Sequence, residues 1–244
     1  STQAITLRVI LRTVFGVEDG AQMADLERLL PKLVDLGQWV TMIPALQRGG
    51  GRASPWGRFL RAREEVDAIL FDEIGRRRLD SEATAERSDV LSLLMQARDE
   101  DGEPMTDLEL RDELVTMLVA GHETTATTLA WTFERLLRHP KALERLQAEV
   151  TLGEESSYLD AVIKETLRVR PVLNYAMRRL ASPTRVGAYD LPAGWQIAVS
   201  LVLVGLREDL YPEPLAWRPE RFLNRTPETY GWIPFGGGVR RCPA

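Results

Sequence analysis

A long helical pattern constrains the fold of this 244-residue chain more than any other feature. Thr106 and Glu109 form a Thr-x-x-Glu capping box, which predicts a helix over residues 107–138. The pattern ends at His139-Pro140, because proline disfavours the helical conformation of the residue before it. Such a helix is far longer than the average of about three turns. Its apolar residues fall on more than one side, so we expect a central helix in a mainly helical protein.

The middle of this pattern is poorly suited to a buried helix. Gly121 costs about 1 kcal/mol relative to alanine, and each neighbouring threonine costs a few tenths more. The weak turn is explained if Gly121 leaves room for a flat cofactor beside the Glu123 carboxylate and the Thr124 hydroxyl. A glycine- and threonine-rich contact between two helices explains the same residues. His122 has no partner at metal-ligand spacing, so we interpret it as a polar helix residue.

The single cysteine, Cys242, lies at the end of the segment Phe235-Gly236-Gly237-Gly238-Val239-Arg240-Arg241-Cys242, which we call the cysteine loop. A lone cysteine has no disulfide partner. The three glycines let the backbone turn tightly and approach a flat ligand, and the two arginines favour a thiolate. A thiolate on such a loop suits the axial position of haem iron, and an arginine suits a haem propionate. A small buried cysteine, an ordinary turn and a phosphate-binding loop are the alternatives.

Another helical pattern carries Glu165 and Arg168 on one side, at positions i and i+3. A surface ion pair is the ordinary explanation of such a pair. A proline-studded coil over residues 211–222 needs specific ties to the rest of the domain. Arg218 or Arg221, reaching back to Glu165 and Arg168, would supply one.

The rest of the chain shows helical periodicity with a small extended region. Pro31 is expected to kink or split the second helix, and Ser54-Pro55 is expected to begin the third. Residues 79–87 are polar and are expected to be loose, whereas residues 195–206 predict a buried strand. The remaining helices are expected over residues 5–15, 24–40, 56–78, 89–97, 141–150 and 157–170.

Composition excludes some classes of protein. The net charge of −5 argues against a protein that binds nucleic acid by neutralising phosphates. The sequence has no run of about 18 apolar residues, so we expect no membrane span in this chain. The share of hydrophobic residues, 44%, is that of an ordinary globular protein.

Four motifs together resemble the cytochrome P450 haem-thiolate monooxygenases. They occur in the order and spacing of that family, and the resemblance covers essentially the whole chain. The fold that it implies is mainly α with a small β-sheet, the cytochrome P450 fold, incomplete at both ends. Residues 1–244 would be a single partial domain that lacks the N-terminal part and the helix after the cysteine. The four motifs are residues 120–125, 165–168, 219–222 and the cysteine loop.

The resemblance implies a role for each residue that stands in a motif. Cys242 would be the axial ligand of the iron of haem b, iron protoporphyrin IX. Glu123 and Thr124 would deliver protons during oxygen activation. The expected haem contacts are Gly121, Arg178, Phe235, Gly236 and Arg240, with both arginines at the propionates. The expected structural triad is Glu165, Arg168 and Arg221, and the expected substrate pocket is Met117, Ala120, Leu173 and Asn174.

The implied activity is insertion of one oxygen atom of O2 into a small apolar organic substrate. Electrons would come ultimately from NAD(P)H through a ferredoxin or flavodoxin-type donor, and the bacterial character implies a cytoplasmic protein. Two other hypotheses stay open for the chain itself. One is a non-catalytic fragment or helical interaction domain unable to hold haem, and the other is a haem-based sensor or carrier.

Overall fold

The fold is described from a computed structural model of the chain. The structure describes residues 1–16, 21–48, 51–153, 157–224 and 226–242. The chain divides into two compact units, Ser1–Ala126 and Thr127–Ala244. Helices form most of the regular structure, with short antiparallel strands, so the expectation of a mainly helical fold is confirmed. The expectation of a single domain stays a prediction.

The first unit is helical in its described part. A short 3₁₀ helix, Pro44–Arg48, follows its second α-helix. The last α-helix, α6, begins in this unit and continues beyond Ala126. The α-helices are α1 Thr2–Phe15, α2 Ala21–Met42, α3 Pro55–Leu79, α4 Ser81–Ala85, α5 Val90–Gln96 and α6 Asp107–Arg138.

Local capping groups set the helix ends that the sequence predicts. Gly16 ends α1 in the left-handed conformation, at φ 60°, and its N–H donates to Arg12 O at 2.7 Å. Ser54 accepts a hydrogen bond from the N–H of Gly57 at 3.0 Å and so caps α3. At α6 the backbone N–H of Thr106 donates to Glu109 Oε2 at 2.8 Å, and the N–H of Glu109 donates to Thr106 Oγ1 at 3.3 Å. The predicted capping box of α6 is therefore confirmed.

A single apolar cluster holds the helices of the first unit together. Helices α1, α2, α3, α5 and α6 each contribute buried side chains to it. Three leucines of α6, one turn apart, are at most 1% exposed, so one stripe of this helix faces the core. These leucines are Leu110, Leu114 and Leu118.

Arg77 of α3 forms a buried polar link between three helices of the first unit. Its guanidinium donates to Asp89 Oδ1, to Ser92 Oγ and to Glu73 Oε1, each at 2.6 Å, and to Phe15 O at 2.5 Å. The Arg77 side chain is 5% exposed and the Asp89 side chain is 4% exposed. The arginine therefore satisfies the C-terminal carbonyl of α1 and the N-terminal cap of α5 together.

Two expectations for the first unit were wrong in part. Residues 79–87 are not all loose, because Asp80 caps a short helix, α4, by accepting from Ala83 N at 3.3 Å. Thr84 of this helix is buried and donates to Arg77 O at 3.0 Å, which ties α4 to α3. Pro31 does not split the second helix, since α2 is one helix that contains it.

The second unit combines helices with two small sheets in its described part. Strand β1 pairs with β4 antiparallel, with Tyr175 opposite Ser200, and β2 pairs with β3 antiparallel. The strands are β1 Tyr175–Arg179, β2 Thr184–Val186, β3 Tyr189–Leu191 and β4 Gln196–Ser200. The helices that follow α6 are α7 Pro140–Leu152, α8 Ser157–Val169 and α9 Leu201–Gly205, and Pro219–Phe222 and Gly238–Arg240 are 3₁₀ helices.

The buried strand expected over residues 195–206 was wrong in length and in burial. Strand β4 ends at Ser200, and the apolar residues after it form α9. The Ser200 hydroxyl accepts from the N–H of Leu203 at 3.2 Å, so a capping serine begins a helix where composition indicated a strand. Strand β4 is partly exposed along its length.

Candidate functional site

Glu165 and Arg168 form a buried ion pair on one side of α8. Arg168 Nε donates to Glu165 Oε2 at 2.7 Å, and Nη2 donates to Glu165 Oε1 at 2.8 Å. The side chains are 0% and 1% exposed respectively. This burial excludes the surface ion pair that remained an alternative from the sequence.

The same pair binds the proline-rich coil that follows α9. Arg168 donates to three carbonyl oxygens, those of Gly205 at 2.6 Å, Pro214 at 2.8 Å and Ala216 at 3.2 Å. The backbone N–H of Arg218 donates to Glu165 Oε1 at 2.8 Å. Since a guanidinium has five N–H donors, Arg168 holds several turns of irregular backbone through one side chain.

Arg221 completes the group expected from the sequence. Its Nε lies 3.4 Å from Glu165 Oε1, and its Nη2 donates to Glu213 O at 2.7 Å. The structure therefore brings Glu165, Arg168 and Arg221 together. Their structural role in the whole protein stays a prediction.

Two residues that sequence reasoning missed complete the surroundings of this pair. Trp217 Nε1 donates to Thr166 Oγ1 at 3.3 Å. A Cβ atom on Gly205 would lie 2.4 Å from Arg168 O, so a glycine is required where α9 passes α8. In the sequence, only the position of Gly205 near the end of a short apolar run indicated this close contact. Such a position is too common in proteins to be a specific signal.

An aromatic group connects α8 with the cysteine loop. Trp232 Nε1 donates to Lys164 O at 3.0 Å, and its ring lies edge-on to the Phe222 ring at 6.2 Å and the Phe235 ring at 5.9 Å between centroids. The Tyr211 hydroxyl donates to Gly231 O at 2.9 Å. The chain just before the cysteine loop is therefore fastened to the helix that carries Glu165 and Arg168.

The cysteine loop is a compact turn. The backbone N–H of Cys242 donates to Phe235 O at 3.0 Å, which joins the two ends of the loop. Gly236 and Gly238 have φ values of 73° and 68°, in the left-handed region that favours glycine. Cys242 is a free, exposed thiol, which removes the alternative of a small buried cysteine.

Both arginines that were expected at haem propionates are exposed. Arg240 lies in the 3₁₀ helix of the cysteine loop, and Arg178 lies in β1. Arg178 Nη1 donates to the carbonyl oxygen of its neighbour Met177 at 2.8 Å. Both side chains thus have access to an anion in solvent, and their contact with a propionate stays a prediction.

The weak turn of α6 has one feature that differs from expectation. A Cβ atom on Gly121 would lie 2.9 Å from Ile10 Cδ1 of α1, so the space beside this glycine is occupied by an apolar side chain. This contact is of the kind that the helix-packing alternative expects, and a contact of Gly121 with a cofactor stays a prediction. The physical reason is that a small residue lets two helices approach each other closely.

The polar residues after Gly121 lie on different sides of α6. Thr124 is exposed, and its hydroxyl donates to Ala120 O, one turn earlier, at 2.6 Å. The Glu123 side chain is 42% exposed, whereas that of His122 is 3% exposed. The ring of His122 contacts Gln3 and Glu123, which agrees with a polar helix residue rather than a metal ligand.

The four residues expected at a substrate pocket fall in both units. Met117 is half-buried and Ala120 is exposed on α6, within one turn of each other in the first unit. Leu173 is 63% exposed, and Asn174 O accepts from the N–H of Leu201 at 2.9 Å in the second unit. The pocket itself stays a prediction.

The family model described as "Cytochrome P450" matches residues 1–243. The chain belongs to the cytochrome P450 family. Among curated relatives, "Putative cytochrome P450 137" of Mycobacterium tuberculosis is 45% identical over 242 residues, which are 98% of this chain and 50% of the relative. The chain spans about half the length of the curated relatives that it matches.

Solved structures share this P450 fold. A cyanobacterial CYP120A1 with bound retinoic acid has a TM-score of 0.78 and 26% identity, and the match covers 99% of this chain and 56% of that one. The haem domain of cytochrome P450DA has a TM-score of 0.80 at 22% identity, with the same coverage, and shows likeness of fold alone. The expected P450 fold is therefore confirmed.

The described residues also bear on metal binding and on membrane insertion. No three or more histidine, cysteine, aspartate and glutamate side chains in that part of the chain gather as a multi-ligand metal site requires. In the same part of the chain, no helix has both the length and the apolar character needed to cross a membrane.

Proposed function

We propose that this chain is part of a haem-thiolate monooxygenase, which inserts one oxygen atom of O2 into a small apolar organic substrate. The observation that carries the proposal is the free thiol of Cys242 on a closed glycine turn, in a chain that belongs to the cytochrome P450 family. The Glu165–Arg168 pair and Trp232 support it, because they fasten the preceding segment to a buried part of α8.

The cysteine loop fits haem b as the cofactor. A thiolate is a known axial ligand of haem iron, and Cys242 supplies one exposed sulfur. A Cβ atom at Gly236 or Gly238 would meet no atom within 4 Å, so the backbone there is open to a flat ligand. When bound, the haem would supply the oxygen chemistry, and Arg178 and Arg240 would supply positive charge for its propionates.

Two polar residues of α6 are proposed to handle protons in the reaction. The Thr124 hydroxyl is exposed, and it already donates one hydrogen bond along the helix to Ala120 O. The Glu123 carboxyl is partly exposed, so it can exchange protons with water. Met117, Ala120, Leu173 and Asn174 are proposed to contact the substrate.

The proposed electron donor is a ferredoxin or flavodoxin-type protein that receives its electrons from NAD(P)H. Arg240 and Arg241 are exposed at the cysteine loop and present positive charge to an acidic partner. The net charge of −5 argues against a nucleic-acid partner. The cytoplasmic location expected from the sequence stays a prediction.

A carbon monoxide difference spectrum of the haem-reconstituted chain tests the proposal. We expect the Soret band typical of thiolate ligation, and we expect the Cys242→Ser variant to lose it. Val239→Ala is the matched control, since this fully exposed side chain lies in the same loop and carries no donor atom. A control variant that keeps the band shows that the loss belongs to the sulfur.

Two results would contradict the proposal. Failure of the wild-type chain to take up haem would favour the non-catalytic helical alternative for this chain. A band unchanged in Cys242→Ser would show that a different group binds the iron.

A further inference from the structure

Three large apolar side chains are exposed at the C-terminal end of α2, and we call them the apolar tip. Trp39 is 64% exposed, Met42 is 71% exposed and Ile43 is 41% exposed. They stand at positions i, i+3 and i+4, and the N–H of Ile43 still donates to Trp39 O at 3.1 Å, so they share one side of the last helical turn. Val40 points to another side of this turn and is buried. The turn is therefore covered on one side and open on the other.

The apolar tip belongs to a corner that joins α2 to α3. A Cβ atom on Gly37 would lie 3.3 Å from Phe59 Cε2, so the end of α2 is packed against the start of α3. Gln47 Nε2 donates to Val40 O at 2.8 Å, which ties the 3₁₀ helix after α2 back to α2 itself. The tip is therefore held by two helices and does not lie on a free chain end.

The same corner is rich in arginine. Residues 36–62 contain four arginines and no aspartate, glutamate or lysine, although the whole chain has a net charge of −5. The nearest acidic residues along the chain are Asp35 and Glu64. Three of the arginines are exposed, and they form no ion pair with any residue that the structure describes. These three are Arg52, Arg58 and Arg61.

This combination fits a lipid surface better than a protein surface. A specific protein interface uses about 20–30 residues on each side, whereas the apolar tip offers three side chains. A bilayer surface needs no complementary shape, and tryptophan is suited to its boundary because the ring is apolar and its N–H is polar. Exposed arginines add attraction wherever the lipid headgroups are anionic.

We propose that the corner between α2 and α3 docks on the surface of an anionic lipid bilayer. The apolar tip enters the headgroup region, and the exposed arginines meet the lipid phosphates. The chain lies on the bilayer in this proposal and does not cross it. Docking is independent of the proposed function, and only its use in reaching an apolar substrate dissolved in lipid rests on that function.

Co-sedimentation with vesicles tests the apolar part of the proposal. We expect the chain to bind vesicles of equal parts phosphatidylcholine and phosphatidylglycerol. Trp39→Gln combined with Met42→Gln is expected to weaken this binding about tenfold, because two apolar side chains no longer leave water. Trp195→Gln is the matched control, since it removes a tryptophan of similar exposure from the second unit and is expected to leave binding unchanged.

The charged part is tested with the same vesicles. Arg52→Gln is expected to weaken binding about fivefold at low salt, because one arginine fewer faces the anionic surface. Arg185→Gln, which removes an exposed arginine of the second unit, is the control. We expect wild-type binding to be weaker on vesicles of phosphatidylcholine alone and to fall as added salt screens the charges.

Quenching of tryptophan fluorescence by brominated phosphatidylcholine in the mixed vesicles locates the contact. Trp39→Phe keeps an apolar ring, so we expect this variant to bind as the wild type does and to lose much of the quenching. Trp195→Phe is expected to keep both. Circular dichroism of each variant, unchanged from wild type, shows that a loss of binding is not a loss of fold.

Three results would overturn the proposal. The first is a wild-type chain that does not bind the mixed vesicles, and the second is equal binding to vesicles with and without phosphatidylglycerol. The third is self-association of the chain that Trp39→Gln abolishes, without vesicle binding, which would assign the apolar tip to a second copy. None of these measurements needs haem, so docking and the monooxygenase proposal can fail separately.

Discussion

Arg168 shows how much of the site depends on a single side chain. It pairs with Glu165 through two hydrogen bonds, and it donates to the carbonyl of Gly205 at the end of α9 and to two carbonyls of the coil beyond α9. Both charges are buried, so neither has water as a substitute partner. The ion pair therefore fixes the conformation of the coil through these hydrogen bonds. It adds little net stability, because desolvation offsets much of the attraction between its charges.

We expect Arg168→Met to lower the free energy of unfolding by about 3–5 kcal/mol, since the buried Glu165 carboxylate loses the guanidinium that donates two hydrogen bonds to it. Urea denaturation followed by circular dichroism measures this change. Asp160→Asn is the control, because it breaks an exposed ion pair with Lys164 on the same helix and is expected to cost at most about 1 kcal/mol. Equal effects of the two substitutions would contradict a buried role for Arg168.

At the scale of elements, side chains outside a helix often complete its ends. Asp89 caps α5 by accepting from Ser92 N at 3.0 Å, and it also accepts from Arg77 and Arg87. Burial by itself raises the pKa of Asp89, but the hydrogen bonds from Arg87, Ser92 and Arg77 outweigh it and hold the pKa below its ordinary 3.8. The cap of one helix is thus also an ion pair with another.

This lowered pKa predicts a pH-dependent stability. A carboxyl whose pKa is depressed on folding stabilises the protein above its unfolded pKa, and the contribution is lost as pH falls through the folded value. We expect Asp89→Asn to cost about 3 kcal/mol at pH 7, with the difference from wild type shrinking below about pH 3.8. Urea denaturation at several pH values measures both.

Asp80→Asn provides the comparison for this series. Asp80 also caps a short helix, but it is exposed, and asparagine caps as well as aspartate. We expect a small effect of Asp80→Asn at every pH. A cost of Asp89→Asn that stayed constant down to pH 2 would show that the loss is not electrostatic.

The segment before the cysteine loop depends on Trp232 in a comparable way. We expect Trp232→Phe to cost about 1 kcal/mol, because the ring contacts are kept while Lys164 O loses its donor. Trp232→Ala is expected to cost about 3–5 kcal/mol, since the contacts with Phe222 and Phe235 are lost as well. Both changes are measured by urea denaturation.

Trp195→Phe is the matched control for Trp232, since the Trp195 side chain is 57% exposed. Its substitution is expected to stay within about 0.5 kcal/mol of wild type. If Trp232→Phe cost no more than Trp195→Phe, the hydrogen bond to Lys164 O would not fasten this segment.

At the scale of the whole molecule, the chain separates into two compact units, yet the boundary after Ala126 falls inside α6. A boundary inside a regular helix is unusual, because most domain boundaries lie in exposed linkers. We expect one cooperative unfolding transition, since melting either unit exposes the backbone of a helix that the other unit also uses. One cooperative transition is the behaviour of a single domain, which the sequence predicts.

Hydrogen exchange measured at increasing urea tests it. Peptides from α3 in the first unit and α8 in the second are expected to lose protection at the same urea concentration. Two clearly separated midpoints would show that the units fold independently and would contradict the single domain.

Local chemistry explains which features could be predicted from the sequence. The bounds of α6 follow from its capping box and from Pro140, and the first and third helices begin or end at predicted residues such as Gly16 and Ser54. The triad was recognised by resemblance, since nothing local distinguishes Glu165 and Arg168 from a surface pair. Residues 195–206 do not form one strand, although their composition is apolar and β-branched, because Ser200 caps a helix that begins at Leu201.

The sequence by itself determined the family, the order of the helices apart from the short α4 and α9, and the identity of the one thiol, because motifs, caps and helical periodicity act over a few neighbouring residues. Only the tertiary structure decided that Ile10 fills the space at Gly121 and that Arg168 is buried under the coil. It also decided that the His122 ring is buried against the backbone oxygen of Gln3 in α1. Each of these contacts joins residues that are far apart in the chain. A pattern within a few neighbouring residues therefore cannot predict them.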